Sequence, residues 1–200
     1  MQGLLLPDAP VVAWWPSFMP DRPSGAQLGQ IAQRRITDSG KQKDPRGAIL
    51  SLAACYAPGD TDLAWTRLTN WRGHLAALLD QPPYEAVRSG LVSGDLSNPS
   101  VHLMAAWLEL RLGIEVEKVE AGDTPVGSSG LHAVELRRET GDSSLTRVRD
   151  SVGVLEQPGQ PSHHVALSTR GLEDQLAEEL RKLDADDMYR QVLVSTLEGR

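Results

Sequence analysis

Arginines, acids and tryptophans are the residues of this sequence whose types and spacing suit binding chemistry. Arg34 and Arg35 open the stretch RRITD, which ends in Asp38. The stretch DTDLAWTRLTNWR, residues 60 to 72, brings together Asp60, Asp62, Arg67, Arg72 and two of the five tryptophans of a chain that is only 4% aromatic. Trp14 and Trp15 stand side by side near the amino end, and Arg46 follows Pro45. A guanidinium grips phosphate or carboxylate through paired N–H donors, and Arg and Trp dominate the energetics of protein interfaces. In an α/β fold such groups gather at the carboxyl ends of parallel strands. Trp14, Trp15, Arg34, Arg35, Asp38, Asp60, Asp62, Arg67 and Arg72 therefore form the candidate rim for a protein partner or an anion. The alternative occupant is a sugar phosphate or nucleotide, bound weakly by a sensor domain.

Catalytic patterns are missing. There is no G-x-G-x-x-G after the first apolar run, no Walker lysine loop, no nucleophile elbow, no H-E-x-x-H and no C-x-x-C. His163 and His164 are adjacent, so on a strand they point to opposite faces and do not share a metal. The expectation is a chain that is not an enzyme and uses no metal and no cofactor. Cys55 is the only cysteine, which excludes an intrachain disulfide and favours a reducing, cytoplasmic setting. A net charge of -7 without a dense Lys/Arg run opposes nucleic-acid binding. Apolar runs such as LLL and PVVAWWP are too short to cross a bilayer, so no membrane role is expected.

The elements that must position the rim follow from punctuation and period. PVVAWW, 10 to 15, reads as a buried strand, Ala26 to Gln33 as a helix, and 34 to 38 as a second strand. Asp44 as cap and Pro45 at the first position start a helix that Pro58 and Gly59 stop. From Asp62 the wheel places Trp65, Leu68, Trp71, Leu75, Ala76, Leu78 and Leu79 in an arc of about 160°. Arg72 falls inside that arc, where it must pair with an acid, reach past the core edge, or meet a partner or anion. Residues 84 to 94 read as a strand, and Asn98, Pro99 and Gly113 punctuate a helix that is apolar nearly all round. IEVEKV then completes a βαβ unit.

After a loop at EAGDTPVGSSG, four short alternating segments separated by turns form an antiparallel meander between 130 and 169. Two helices close the chain over 170 to 198, the first with Leu172, Leu176, Leu180 and Leu183 on one stripe and the second with an acidic first turn. The predicted fold is one α/β domain over residues 1 to 200. Its central mixed sheet has parallel βαβ units in the first part (1 to 120) and an antiparallel meander in the second, with helices on both faces.

LLLPDAPVVAWWP (4 to 16), RRITD (34 to 38), YAPGDTDLAWTRLTNWR (56 to 72), NPSVHLMAAWLELRLG (98 to 113) and QPGQPSHHVAL (157 to 167) together cover most of the chain. In these segments it resembles the glucose-6-phosphate dehydrogenase assembly protein family, called OpcA, of actinobacteria and cyanobacteria. The resemblance implies a non-enzymatic accessory protein whose partner is glucose-6-phosphate dehydrogenase, first enzyme of the oxidative pentose phosphate pathway. Such a protein promotes the enzyme's assembly or allosteric activation and so supports NADPH supply. Family members usually carry another domain ahead of LLLPDAPVV, and Met1 stands almost at that motif, so the expectation is the carboxyl-terminal domain without the amino-terminal one, or a short member of the family. Cysteine-based redox control, associated with cyanobacterial members, is not available to a chain with one cysteine.

Overall fold

A computed structural model describes residues 9–82 and 84–198; residues 4 to 8, the LLLPD that opens the first motif, lie outside them. The strands divide between two sheets. β1 (Val12–Trp14), β2 (Arg34–Thr37) and β3 (Asp60–Asp62) form a parallel sheet in that order. Arg35 lies opposite Ala13 and Asp60 in register. α1 (Pro45–Cys55) makes the crossover between β2 and β3, capped as expected by the Asp44 carboxylate, which accepts from the Gly47 N–H. Every residue of β2 and β3 is buried.

The predicted helix at 26 to 33 is instead a run of turns after a 3-10 turn at Pro23–Gly25. A Cβ on Gly29 would sit 1.8 Å from the Pro23 carbonyl oxygen, so the chain folds back more tightly than a helix allows. The carbonyls this leaves open are taken up by the Arg35 guanidinium, which donates to Ala32 O at 2.7 Å and more weakly to Gly29 O at 3.4 Å.

The expected single helix from Asp62 is two: α2 (Leu63–Thr66) and α3 (Thr69–Leu79), broken at Arg67 and Leu68. The break keeps Trp65, Leu68, Trp71, Leu75 and Leu78 in the core but turns Ala76 outward. β4 (Ser89–Gly94) is shorter than the 84 to 94 segment. α4 (Pro99–Leu112) has the complete punctuation read from the sequence, with Asn98 Oδ1 accepting from Ser100 N and Gly113 in the left-handed region. β5 (Glu115–Glu120) runs parallel to β4, completing the βαβ unit.

The meander forms as predicted, with β6 (Leu131–Arg137), β7 (Ser143–Arg149), β8 (Val152–Glu156) and β9 (His163–Ala166) all antiparallel. β6 joins β4, giving a mixed six-stranded sheet in the order β5-β4-β6-β7-β8-β9. Its inner face presents Val92, Val134, Leu136, Leu145 and Leu155 to a core shared with α1, α2, α3 and α4. The chain ends in α5 (Leu172–Arg181) and α6 (Asp187–Glu198), and α6 contributes Tyr189, Val192 and Leu193 to the same core. No helix among the described residues is long and apolar enough to cross a membrane.

α5 is rotated from its expected orientation. Its buried residues are Gln175 and Glu179, whereas Leu180 is 52% exposed and Leu172 and Leu176 are half-buried. An inward glutamate is tolerated only with partners, and Glu179 has two.

Candidate functional site

The rim expected at the carboxyl ends of the strands is split between the two ends of the parallel sheet: Arg34, Arg35 and Asp60 open β2 and β3, while Trp14, Trp15, Asp38 and Asp62 lie where β1, β2 and β3 finish. Arg35 Nε is hydrogen-bonded to Asp60 Oδ1, and Asp60 Oδ2 accepts from Ala57 N at 2.8 Å. Arg67 holds Asp38 with both ends of its fork, at 2.8 and 2.6 Å. Arg34 pairs with Glu179, whose other oxygen accepts from the Thr66 hydroxyl at 2.6 Å. Asp62 is fully buried and accepts four bonds, from the Thr37 hydroxyl, the Ser39 N–H and hydroxyl, and Ala64 N, at 2.7 to 2.9 Å. Burial pushes its carboxyl above the ordinary aspartate range, Asp38 adds to the rise, and the donors oppose it. Trp14 and Trp15 are half-buried beside β2, with Trp15 N donating to Ile36 O at 3.2 Å.

Arg72 is arranged differently. Its guanidinium carbon lies 3.5 Å from the centre of a Trp65 ring, and among the described residues no carboxylate oxygen comes within ion-pair distance. Burial lowers its pKa to about 10, with Asp186, Glu178 and Glu179 acting in the opposite sense. Those acids are occupied elsewhere. Asp186 accepts from the Trp65 indole and from Tyr189 N, both at 2.9 Å, and Glu178 binds Thr69 and Arg170. Arg72 Nη2 reaches the Thr69 hydroxyl at 3.4 Å, and Nε is buried without a partner among the described residues. This side chain lines a cavity of about 840 Å³ with Arg34, Trp65, Trp107, Lys182 and Asp184, a volume within the range of ligand pockets.

The structure thus brings Arg34 and Arg72 to one cavity, and turns Arg35, Asp38, Asp60, Asp62 and Arg67 into internal partners. Sequence reasoning missed Glu178, Glu179, Lys182 and Asp186. The acids at 184 to 187 are expected only as an acidic first turn, yet Asp186 accepts from the indole that Arg72 covers. Among the described residues no group of three or more His, Cys, Asp or Glu is placed to hold a metal.

A family model described as the C-terminal domain of a glucose-6-phosphate dehydrogenase subunit matches residues 58–193, and one described as the N-terminal domain matches residues 1–54. The chain belongs to the OpcA family of glucose-6-phosphate dehydrogenase subunits. The expectation that the family's amino-terminal domain is missing is corrected by the second match. All three buried ion pairs of the rim join the two matched segments: Arg34 to Glu179, Arg35 to Asp60 and Asp38 to Arg67. No curated protein matches the chain.

Among solved structures, the open conformation of KijD10, a 3-ketoreductase from Actinomadura kijaniata in complex with TDP-benzene and NADP, is similar with a TM-score of 0.53 and 13% identity. That similarity covers 98% of this chain and 77% of the reductase. A second KijD10 structure, with NADP and TDP-benzene, gives a TM-score of 0.49 at 11% identity over 85% of this chain and 69% of that one. At such identity the likeness is one of fold alone.

Proposed function

We propose that this chain is a non-catalytic accessory protein that binds glucose-6-phosphate dehydrogenase and promotes its assembly or allosteric activation. The observation that carries the proposal is the ordered match of both family segments, which share one core and one parallel sheet. A protein that raises an enzyme's activity must bind the active form more tightly than the resting form, and the coupling is reciprocal. The proposed contact is the cavity bearing Arg72 and Trp65, where a cation held on an indole has donors left over for a partner. Arg34 and Lys182 flank it. A reducing, cytoplasmic setting suits the single free thiol of Cys55.

The test measures initial rates of the dehydrogenase with increasing amounts of this protein, alongside direct binding with and without glucose 6-phosphate. Activation, and tighter association when substrate is present, are expected; no association and no change in rate would overturn the reading. In Arg72→Ala the concentration for half-maximal activation should rise about tenfold while the melting temperature moves by no more than about 2 °C. A lower melting temperature with unchanged activation would instead make Arg72 a packing residue.

A further inference from the structure

Gly73 stands in the middle of α3, where glycine is the least favoured residue after proline. Nothing in the described chain requires it: its backbone is helical, and a Cβ there would meet no atom within 4 Å. A helix-interior glycine that no neighbour demands is accounted for when another backbone comes close from outside. Thr69, Gly73 and Ala76 share one face of α3, and that face walls the cavity of about 840 Å³. Small side chains in such a row let a second helix approach to the short end of the usual separation of about 8–10 Å. Two turns of a helix about 10 Å across occupy roughly 850 Å³, the size of this cavity.

Two donors in the cavity wall lack acceptors. Trp107 is 8% exposed, and its indole N–H is neither bonded nor sealed from solvent among the described residues. Arg72 Nη1 is in the same condition. Both call for an acceptor, and the remaining walls decide its charge. The carboxylates of Glu178, Glu179, Asp184, Asp186 and Asp187 line the cavity against only three cations, Arg34, Arg72 and Lys182. Asp184 has no cation in ion-pair reach among the described residues. Such walls repel an anion and favour a neutral acceptor carried on a basic segment. The C-terminal turn of an α-helix is that kind of group. Its last carbonyl oxygens lack donors within the helix and carry partial negative charge, and Lys or Arg commonly accompanies them.

We propose that this cavity receives the C-terminal turn of a basic helix of the dehydrogenase. The helix crosses α3 at Gly73, gives its free carbonyl oxygens to Arg72 and Trp107, and sets its basic side chains against Asp184 and Asp187. The proposal rests on the partnership with glucose-6-phosphate dehydrogenase and names what that enzyme inserts.

The experiment measures association of the full chain with the dehydrogenase by calorimetry, together with melting temperature, for the parent and for Gly73→Ala, Gly73→Leu and Asp184→Lys. The Gly73 variants put better helix formers into open space, so their melting temperatures should equal or exceed the parent's. Gly73→Leu should weaken association about tenfold or more, and Gly73→Ala less, in order of side-chain size. Asp184→Lys should weaken it several-fold. Ala76→benzoylphenylalanine, a photo-crosslinker at an exposed position, should capture one helical C-terminal turn of the dehydrogenase. A parent chain that does not associate overturns the partnership and this proposal together. A parent that associates while Gly73→Leu or Asp184→Lys associates equally well overturns this proposal alone. Cross-links to a strand, a loop or scattered sites do the same, as does saturable stabilisation by glucose 6-phosphate that Gly73→Leu abolishes, which would make the cavity a small-molecule site.

Discussion

Arg35 and Arg147 are both withdrawn from water, at 6% and 2% exposure, and they belong to sheets that treat charge in opposite ways. The parallel sheet carries matched ions at both ends. Arg35 meets Asp60, Arg67 meets Asp38 and Arg34 meets Glu179, while Asp62 is satisfied by four neutral donors. The six-stranded sheet turns an aliphatic face inward, and its buried Arg147 is hydrogen-bonded to carbonyl oxygens, with the Asp150 charge acting on it from beyond ion-pair distance. The difference shows that a buried guanidinium can be held by a carboxylate or by carbonyl oxygens, and that its removal leaves a stranded charge only in the first case.

That contrast is broken or sharpened by removing each charge. Arg35→Met strands Asp60 and opens the carbonyls of Ala32 and Pro58, so it should cost about 3–5 kcal/mol in urea unfolding. The double change Arg35→Met with Asp60→Leu should recover most of that loss. Arg147→Met strands only carbonyls and should cost about 1–3 kcal/mol. Equal losses for the two arginines would erase the distinction.

The smallest effect concerns His102 on α4, whose ring nitrogen contacts the Leu96 carbonyl at 2.9 Å. Burial lowers its pKa from the usual 6.5, with Arg46 and Lys118 adding to the fall and the Leu96 carbonyl opposing it. The unfolded chain therefore takes up this proton more readily. Stability is complete above about pH 6.5 and declines as pH falls from there towards the lowered folded value. Thermal melts between about pH 7 and 5 should show the parent chain losing more stability than His102→Gln. A steeper loss in the variant would mean that the carbonyl holds the charged ring as a carboxylate would.

Local chemistry made much of this fold legible. Asp44 with Pro45, Asn98 with Pro99, and Gly113 are caps whose effect is complete within a few residues, and the meander turns act over the same range. Errors arose where the deciding partner is distant in sequence. The leucine stripe of α5 predicts an inward apolar face, but Arg34 and Thr66, more than a hundred residues away, draw Glu179 inward instead. The turns at 26 to 33 contain good helix formers, and the Pro23 carbonyl pressed against Gly29 prevents a helix. For the site, the residue types were readable and their pairing was not. Six of the nine rim residues, Arg34, Arg35, Asp38, Asp60, Asp62 and Arg67, are taken up by internal partners.

The seam between the two matched segments, at residues 55–57, coincides with no gap in the structure. β3 lies beyond it and still completes the sheet begun by β1 and β2, and every buried ion pair of the rim spans it. Scission of the loop there would yield halves that cling together in native buffer and part only on denaturation. Either half produced alone would carry stranded interior ions, so the pair behaves as an obligate complement, a natural division point for a split reporter.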